Sequence, residues 1–259
     1  MKKLNFSYHM QLTFEYPVRD HHFTLRCFPP NDARQQILTE SIEIYPKQYS
    51  STQTDSFGNR CVYGTADQAH NYFAVDVNGE AVVDSEKNIT EDAYKTGLFR
   101  YQTELTRAGE GIMGFYNKIK RFGHPLETAK HFMNKLFENF VYEQGATNIL
   151  TTAEEAFTLG KGVCQDYAHI LISLCRLEKI PCRYVAGMMT GEGATHAWAE
   201  VFDNGIWYLL DPTHNRLVDD TYIKISSGRD AKDCAINQGV FIGGGKQKQE
   251  VRVTVEEIL

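Results

Sequence analysis

The sequence predicts an α+β protein with a β-rich N-terminal domain, followed by a domain that contains both helices and strands. Apolar and polar residues alternate along much of residues 1–95, whereas apolar residues recur at helical spacing further along the chain. A long apolar helix is then followed by three segments with the composition of strands. We therefore predict two domains, residues 1–95 and residues 96–259.

The N-terminal domain is expected to resemble a β-sandwich. Every second residue is apolar in its first segment, which contains Phe6, Tyr8, Met10, Leu12 and Phe14. This period of two is typical of a strand with one buried face. The alternation continues in "HHFTLRCF", and the turn signals "PPND", "DSFGN" and "VNGE" separate the later segments. The domain is therefore predicted to consist of short strands.

Two helices are predicted ahead of the long apolar helix. In "TAKHFMNKLFENFVY" the apolar residues recur at helical spacing: Phe132, Leu136, Phe137 and Phe140. A shorter helix is indicated by Thr152 and Glu155, which have the spacing of a capping box. Gly160 is its expected terminator, because glycine readily adopts the left-handed conformation that ends many helices. A tight turn should then lead to Cys164.

Cys164 is a candidate nucleophile because it stands at the first turn of the apolar helix, in "GKGVCQDYAHILISLC". The unpaired N–H groups and the positive end of the helix dipole at that position favour a thiolate. Gly160 and Gly162 permit a tight turn that could leave the sulfur in a cleft. The alternative is that Cys164 is a small apolar core residue, the interpretation that we prefer for Cys27, Cys175 and Cys182.

A thiol nucleophile requires a base that later protonates the leaving group, and the chain has nine histidines. His169 lies five residues along the same helix, about 140° around its axis, so it cannot reach back to Cys164. We expect it to be a packing or surface residue. His196 is a better candidate because it begins the strand-like segment "HAWAEVF", which has one face of small residues: Ala197, Ala199 and Val201.

Asp211 can support His196 if "HAWAEVF" and "GIWYLL" form the hairpin that "DNG" indicates. Both residues are then at a similar distance from the turn near Asn204, and the carboxylate can hold the imidazole in the tautomer that a base needs. Taken alone, a strand histidine is usually structural, and an Asp-Pro pair usually opens a turn. The combination of Cys164, His196 and Asp211 favours a catalytic site.

Charge and hydropathy argue against nucleic-acid and membrane partners. The 27 basic and 33 acidic residues give a formal charge of -6 without long blocks of one sign. No apolar run is long enough to span a bilayer, and the N-terminal "MKKLNFSYHMQL" lacks the apolar stretch of an export signal. The six cysteines are too sparse for a disulfide framework. We therefore expect a cytoplasmic protein with reduced thiols.

No metal or cofactor is predicted. The cysteines contain no Cys-x-x-Cys pair of the kind that binds zinc. His196 and Glu200 are four residues apart, but their segment is strand-like and no second histidine stands at helical spacing. The "GGGK" segment at residues 243–246 lacks the earlier glycine and the following Ser or Thr of a phosphate-binding loop.

Four segments, in order, resemble the transglutaminase-like superfamily, specifically its bacterial cysteine-protease-like branch: "GVCQDYAHI", "RYVAGM", "THAWAEV" and "WYLLDPT". Two earlier segments, "HMQLTFEYPVRDHHFTLRCFPP" and "DSFGNRCVYG", resemble the β-rich N-terminal domain found in many such proteins. The segment "GRDAKDCAINQGVFIGGGKQ" resembles their closing segment. The resemblance thus covers nearly the whole chain.

The resemblance implies a papain-related core in which the central helix carries Cys164 as nucleophile, while the sheet carries His196 as base and Asp211 as orienting acid. It also implies thiol-dependent acyl transfer on a peptide or protein substrate. The resemblance favours hydrolysis, because the close bacterial relatives are usually protease-like, and no acidic cluster has the spacing of calcium ligands. The alternatives are a cross-linking transglutaminase and a peptide-binding module without activity. The backbone N–H of Cys164 is the expected oxyanion donor, and Tyr142 and Gln165 are weak candidates for a second, upstream donor.

Overall fold

The computed structural model describes residues 1–258, which form two antiparallel sheets, a pair of short parallel strands and a group of helices. The strands, in chain order, are β1 (Lys2–Leu25), β2 (Gln35–Tyr45), β3 (Tyr49–Thr54), β4 (Arg60–Ala66), β5 (His70–Val83), β6 (Ile89–Thr90), β7 (Val141–Tyr142), β8 (Lys161–Gly162), β9 (Cys182–Met189), β10 (Gly191–Gly193), β11 (His196–Asp203), β12 (Ile206–Asp211), β13 (Arg216–Leu217), β14 (Tyr222–Gly228), β15 (Asn237–Gly243) and β16 (Gln247–Ile258). The helices are a 3₁₀ helix (Ala93–Arg100), α1 (Glu110–Lys118), α2 (Pro125–Asn139), α3 (Ala153–Leu159) and α4 (Cys164–Leu177). The predicted α+β class is confirmed.

β1 is the centre of the first sheet. Its first half pairs with β5 on one side and β16 on the other, and its second half pairs with β4 and β15. Pro17 lies where the ladder is interrupted and has no N–H to donate, and the register shifts on both sides of Val18. The segment that contains Phe6 to Phe14 and the segment "HHFTLRCF" were expected to be separate strands, but they belong largely to one bent strand, β1. The β-rich N-terminal region is confirmed, as a single curled sheet of eight strands.

The C-terminal strands belong to the first sheet. The domain prediction assigned them to the second domain, but β16 pairs with β1 over twelve positions and β15 pairs with the second half of β1. The reason is the alternation in "VRVTVEEI", which buries Val253 and Val255 against the core of that sheet. In the chain between these two regions, β9, β11, β12, β13 and β14 form most of the second sheet. The boundary near residue 95 stays a prediction.

The second sheet supports the apolar helix α4. Its strand order is β13-β12-β11-β9-β14, with β6 beside β12. Ala197, Ala199 and Val201 of β11 lie in the same core cluster as α4, and their small size lets the helix approach closely, as the sequence predicts. Trp198, the residue between these small side chains, lies in a separate core cluster. Among the helices of residues 1–258, none has the length and apolar character needed to cross a membrane.

The predicted caps fix the entry to α4. The Thr152 side chain accepts a hydrogen bond from the Glu155 N–H, and the Glu155 carboxylate accepts one from the Thr152 N–H at 2.8 Å. Gly160 ends α3 with a φ of 73°, the left-handed conformation expected for a terminating glycine. The short strand β8 follows and pairs with β7, so that α4 begins at Cys164 beside the β7 segment.

Candidate active site

Cys164 is the first residue of α4 and lines a cleft of about 570 Å³. It is partly exposed, whereas the other five cysteines are buried. The first-turn N–H groups of a helix have no partner within it, so the sulfur lies beside unpaired donors. Asp166 steadies this turn by accepting hydrogen bonds from the Val163 N–H at 2.8 Å and the Thr147 hydroxyl at 2.6 Å.

His196 begins β11 and lines the same cleft as Cys164. The predicted hairpin brings it to Asp211: Asp203 pairs with Ile206, and the two-residue turn between them has positive φ at both positions, as an Asn-Gly turn requires. The Nε2 atom of His196 lies 2.8 Å from Oδ2 of Asp211. The other ring nitrogen, Nδ1, does not bind Asp211, and the side chain shares the cleft with Cys164.

The charge on His196 depends on two partners. Burial lowers the pKa of His196. The hydrogen bond with Asp211 opposes this effect, and the hydrogen bond and charge of Cys164 add to the opposition. Together they raise the pKa of His196 to about 9. The imidazole is therefore protonated at neutral pH.

Asp211 is fully buried, and five donors converge on it. Its Oδ2 atom binds a ring nitrogen of His196 and one of His214, and accepts the hydroxyl of Tyr222 at 2.7 Å. Its Oδ1 atom accepts the N–H groups of Thr213 and His214 at 2.9 and 3.3 Å. Burial raises the pKa of Asp211, but the hydrogen bonds from His196 and its neighbours keep it well below its usual range. The carboxylate is thus ionised and held in a fixed orientation.

Sequence reasoning missed three residues of this network. His214 donates a hydrogen bond from Nδ1 to Oδ2 of Asp211 at 2.7 Å, and its exposed side chain lines the cleft. Tyr222 comes from β14, and Arg216 donates to its hydroxyl at 2.8 Å. His214 could have been suspected, because it stands three residues after Asp211 in "DPTHN". The pairing of Tyr222 with Asp211 depends on β14 and leaves no such local pattern.

The cleft has two different walls. One is the continuous segment of residues 189–196, and the other contains Tyr142 and Gln144. Gln165, a sequence candidate for the oxyanion site, is not among the lining residues, and its Nε2 donates to the Ile149 carbonyl at 3.4 Å instead. A second cavity of about 590 Å³ lies on the first sheet but contains no cysteine, so we assign the chemistry to the cleft.

His196, Asp211 and His214 each offer a ligand atom within 4.8 Å of the others, a spacing that a metal ion could bridge. The ligand atoms of all three already bind one another in the network around Asp211 Oδ2. Glu200 is fully buried and binds Arg183 and Lys224, so it stabilises the sheet and does not face the cleft. His169 is also buried, and its Nε2 accepts the Ala231 N–H at 3.1 Å. It is a packing residue, as predicted.

Comparison with known proteins reveals two matched regions. Residues 115–212 match the family described as the transglutaminase-like superfamily, and residues 4–82 match the bacterial transglutaminase-like N-terminal region. The chain thus contains a transglutaminase-like core preceded by a bacterial transglutaminase-like N-terminal region. The recognition made from the sequence is therefore confirmed. The superfamily core contains Cys164, His196 and Asp211, and their catalytic roles remain predictions.

Several proteins are similar to this transglutaminase-like chain over most of its length. An uncharacterized protein of Mycobacterium leprae is 24% identical over 95% of each chain. An uncharacterized protein of Mycobacterium bovis is 26% identical over 82% of this chain and 79% of its own. The crystal structure of a "putative cysteine protease" from Cytophaga hutchinsonii covers 99% of this chain and 91% of its own, with a TM-score of 0.79 and 21% identity. At this identity the similarity shows a shared fold.

Proposed function

We propose that this protein is a cysteine-dependent hydrolase that cleaves peptides or carboxamides, with Cys164 as nucleophile, His196 as acid and base, and Asp211 as the positioning carboxylate. The observation that carries the proposal is the arrangement of His196: one ring nitrogen is held by Asp211 at 2.8 Å, and the ring shares the cleft with Cys164. The description of the Cytophaga protein is consistent with this reaction class.

The reaction needs only these groups and water. The Cys164 thiolate attacks the substrate carbonyl carbon, and a C–S bond forms as the carbonyl electrons move to oxygen. The His196 imidazolium gives its proton to the leaving nitrogen, the C–N bond breaks, and a thioester remains. Water then attacks the thioester while His196 accepts its proton. The C–S bond breaks to release the acid and regenerate the thiolate.

The oxyanion of the tetrahedral intermediate needs a donor. The backbone N–H of Cys164 is in the first turn of α4, where it has no acceptor within the helix, so it can serve this role. Loss of one such donor typically costs about 10²- to 10³-fold in rate. Tyr142 and Gln144 line the cleft and are candidates for the second donor.

Selective alkylation tests whether Cys164 is activated. We expect iodoacetamide at pH 6.5 to modify Cys164 much faster than the five buried cysteines, because a thiolate beside an imidazolium is reactive at this pH. Peptide mapping by mass spectrometry identifies the modified residue. Cys164→Ala should remove the fast reaction, and the matched variant Cys61→Ala should retain it, because burial raises the pKa of Cys61. Equal labelling of all six thiols contradicts the proposal.

Product analysis distinguishes hydrolysis from transfer. Glutamine peptides and a proteome-derived peptide mixture are incubated with the protein in the presence and absence of a fluorescent primary amine. Release of ammonia or of shorter peptides, abolished by Cys164→Ala, is the expected result. If amine incorporation exceeds release, the protein is a transferase instead. If no product forms from either substrate class, the enzymatic proposal fails and a binding module is favoured.

A further inference from the structure

The segment between β9 and β11 contains a strand at the edge of the first sheet, and it lines the same cleft as the candidate nucleophile. Residues 189–196 line the cleft without interruption, and within them β10 pairs with β16 through Gly191–Val255, Glu192–Thr254 and Gly193–Val253. β10 is the last strand of the first sheet at this end, and no other strand of residues 1–258 pairs with it. A strand with one free edge carries unpaired N–H and C=O groups.

The two glycines keep that backbone uncovered. Gly191 has a φ of 117°, so its backbone conformation requires glycine. Gly193 does not have a positive φ, so its backbone conformation is open to other residues. A Cβ atom at this position would meet no atom within 4 Å. Neither backbone strain nor packing accounts for glycine at position 193. Its effect is to leave the main chain open to the cleft, where another backbone can approach.

Charge distinguishes this edge from the rest of the cleft. Glu192 is exposed in the middle of β10, and it is the one carboxylate among the described residues that line the cleft. No lysine or arginine lines the cleft, and Glu192 forms no ion pair within residues 1–258. An extended ligand with a basic side chain near this position would supply the missing partner.

We propose that substrate peptides bind as an added strand on the free edge of β10, with a lysine or arginine beside Glu192. This inference rests on the proposed hydrolase function and specifies its substrate: an extended segment with a basic residue at a fixed distance from the scissile bond. Main-chain hydrogen bonds supply affinity, as in other cases of strand addition, and Glu192 supplies selectivity. The first sheet thereby contributes its edge to the active site.

The first experiment measures selectivity. A bacterial proteome digested after aromatic residues provides peptides with internal Lys, Arg, Asp and Glu, and new termini after incubation are sequenced by mass spectrometry. We expect about a threefold enrichment of Lys and Arg at one position, the size typical of an exposed ion pair. Glu192→Lys should reverse the preference towards Asp and Glu. Glu256→Lys, which changes the same charge on β16 outside the cleft, should leave it unchanged.

The second experiment tests the added strand. In the best-cleaved peptide each amide is replaced in turn by an ester, which removes one N–H. Alternate residues of a strand face the neighbouring strand, so kcat/KM should fall about fivefold at every second position and little between them. Gly193→Ala should raise KM while the free energy of unfolding stays constant, whereas Gly123→Ala, another glycine with open space around it, should change neither.

The outcomes separate the two proposals. If peptides are cleaved but ester replacement shows no alternation and Glu192→Lys leaves the preference unchanged, strand addition is wrong while the hydrolase function stands. If neither the protein nor any variant cleaves a peptide, both proposals fail. Alternation together with the reversed preference supports strand addition on β10.

Discussion

Replacement of Asp211 by asparagine tests whether the carboxylate controls the proton on His196. Asparagine has almost the same shape, so the change removes charge without creating a cavity. In the native protein burial disfavours the imidazolium, but the hydrogen bond to Asp211, then the hydrogen bond and charge of Cys164, raise the pKa of His196 from 6.5 to about 9. This rise corresponds to about 3 kcal/mol, since each pH unit is worth ~1.4 kcal/mol.

The sign of the pH dependence follows from the raised pKa. A group whose pKa is higher in the folded protein contributes stability that is fully present below pH 6.5 and is lost as the pH rises through about 9. In Asp211→Asn burial persists while the main favourable partner is gone, so the pKa of His196 should fall. Because Cys164 supplies part of the effect, we expect the variant to lose about 2 kcal/mol more stability at pH 6 than at pH 10.

Two measurements check this expectation. NMR of ¹⁵N-labelled histidine rings gives the pKa of His196, and urea unfolding at pH 6 and pH 10 gives the free energies. The wrong tautomer should also lower kcat by about 10⁴-fold. Asp76→Asn is the matched control, because it changes an exposed pair with His9 and should have little pH-dependent effect. If His196 still titrates near 9 in Asp211→Asn, the reasoning is refuted.

Three further variants test buried polar groups by urea unfolding at pH 7. Arg176→Met should cost about 3 kcal/mol, because four buried acceptors lose their donor, and an unchanged midpoint would contradict this assignment. Glu200→Gln should also cost about 3 kcal/mol, because it leaves two buried cations without their carboxylate, and a neutral effect would show that they are solvated. Gln35→Ala should cost about 3 kcal/mol, because three hydrogen bonds to Pro30 and Lys224 are lost, whereas the exposed Gln53→Ala should be neutral.

The sequence was sufficient where local patterns determine local structure. The capping box at Thr152, the terminating glycine at 160 and the hairpin turn at Asn204 are each specified within a few residues, and the structure confirms all three. The hairpin then determines the distance between His196 and Asp211, since register follows from the turn. This is why two of the three candidate site residues could be placed together before the structure was known.

Long-range pairing was not predictable in the same way. One of the two partners of β1 along its first half is β16, more than two hundred residues later, and nothing within either segment specifies the other. The alternation around Val253 is typical of a strand but does not specify its sheet. The small loop strand β10 depends on the same pairing, so the wall of the cleft at Gly193 could not be predicted either. The cytoplasmic location also remains a prediction.

The buried charge of Asp211 links the two sheets. Burial of an ionised carboxylate costs several kcal/mol of folding free energy unless hydrogen-bond donors surround it. One of the donors to Asp211 is the hydroxyl of Tyr222, which comes from β14. β14 is held in turn by Gln35, whose side chain accepts the Lys224 N–H at 2.8 Å and donates to the Lys224 carbonyl at 3.0 Å. A residue of the N-terminal region therefore supports the strand that orients the acid behind His196. The first sheet thus contributes to the candidate site twice, through Gln35 of β2, which holds β14 behind the acid, and through β16, which pairs with β10 at the cleft.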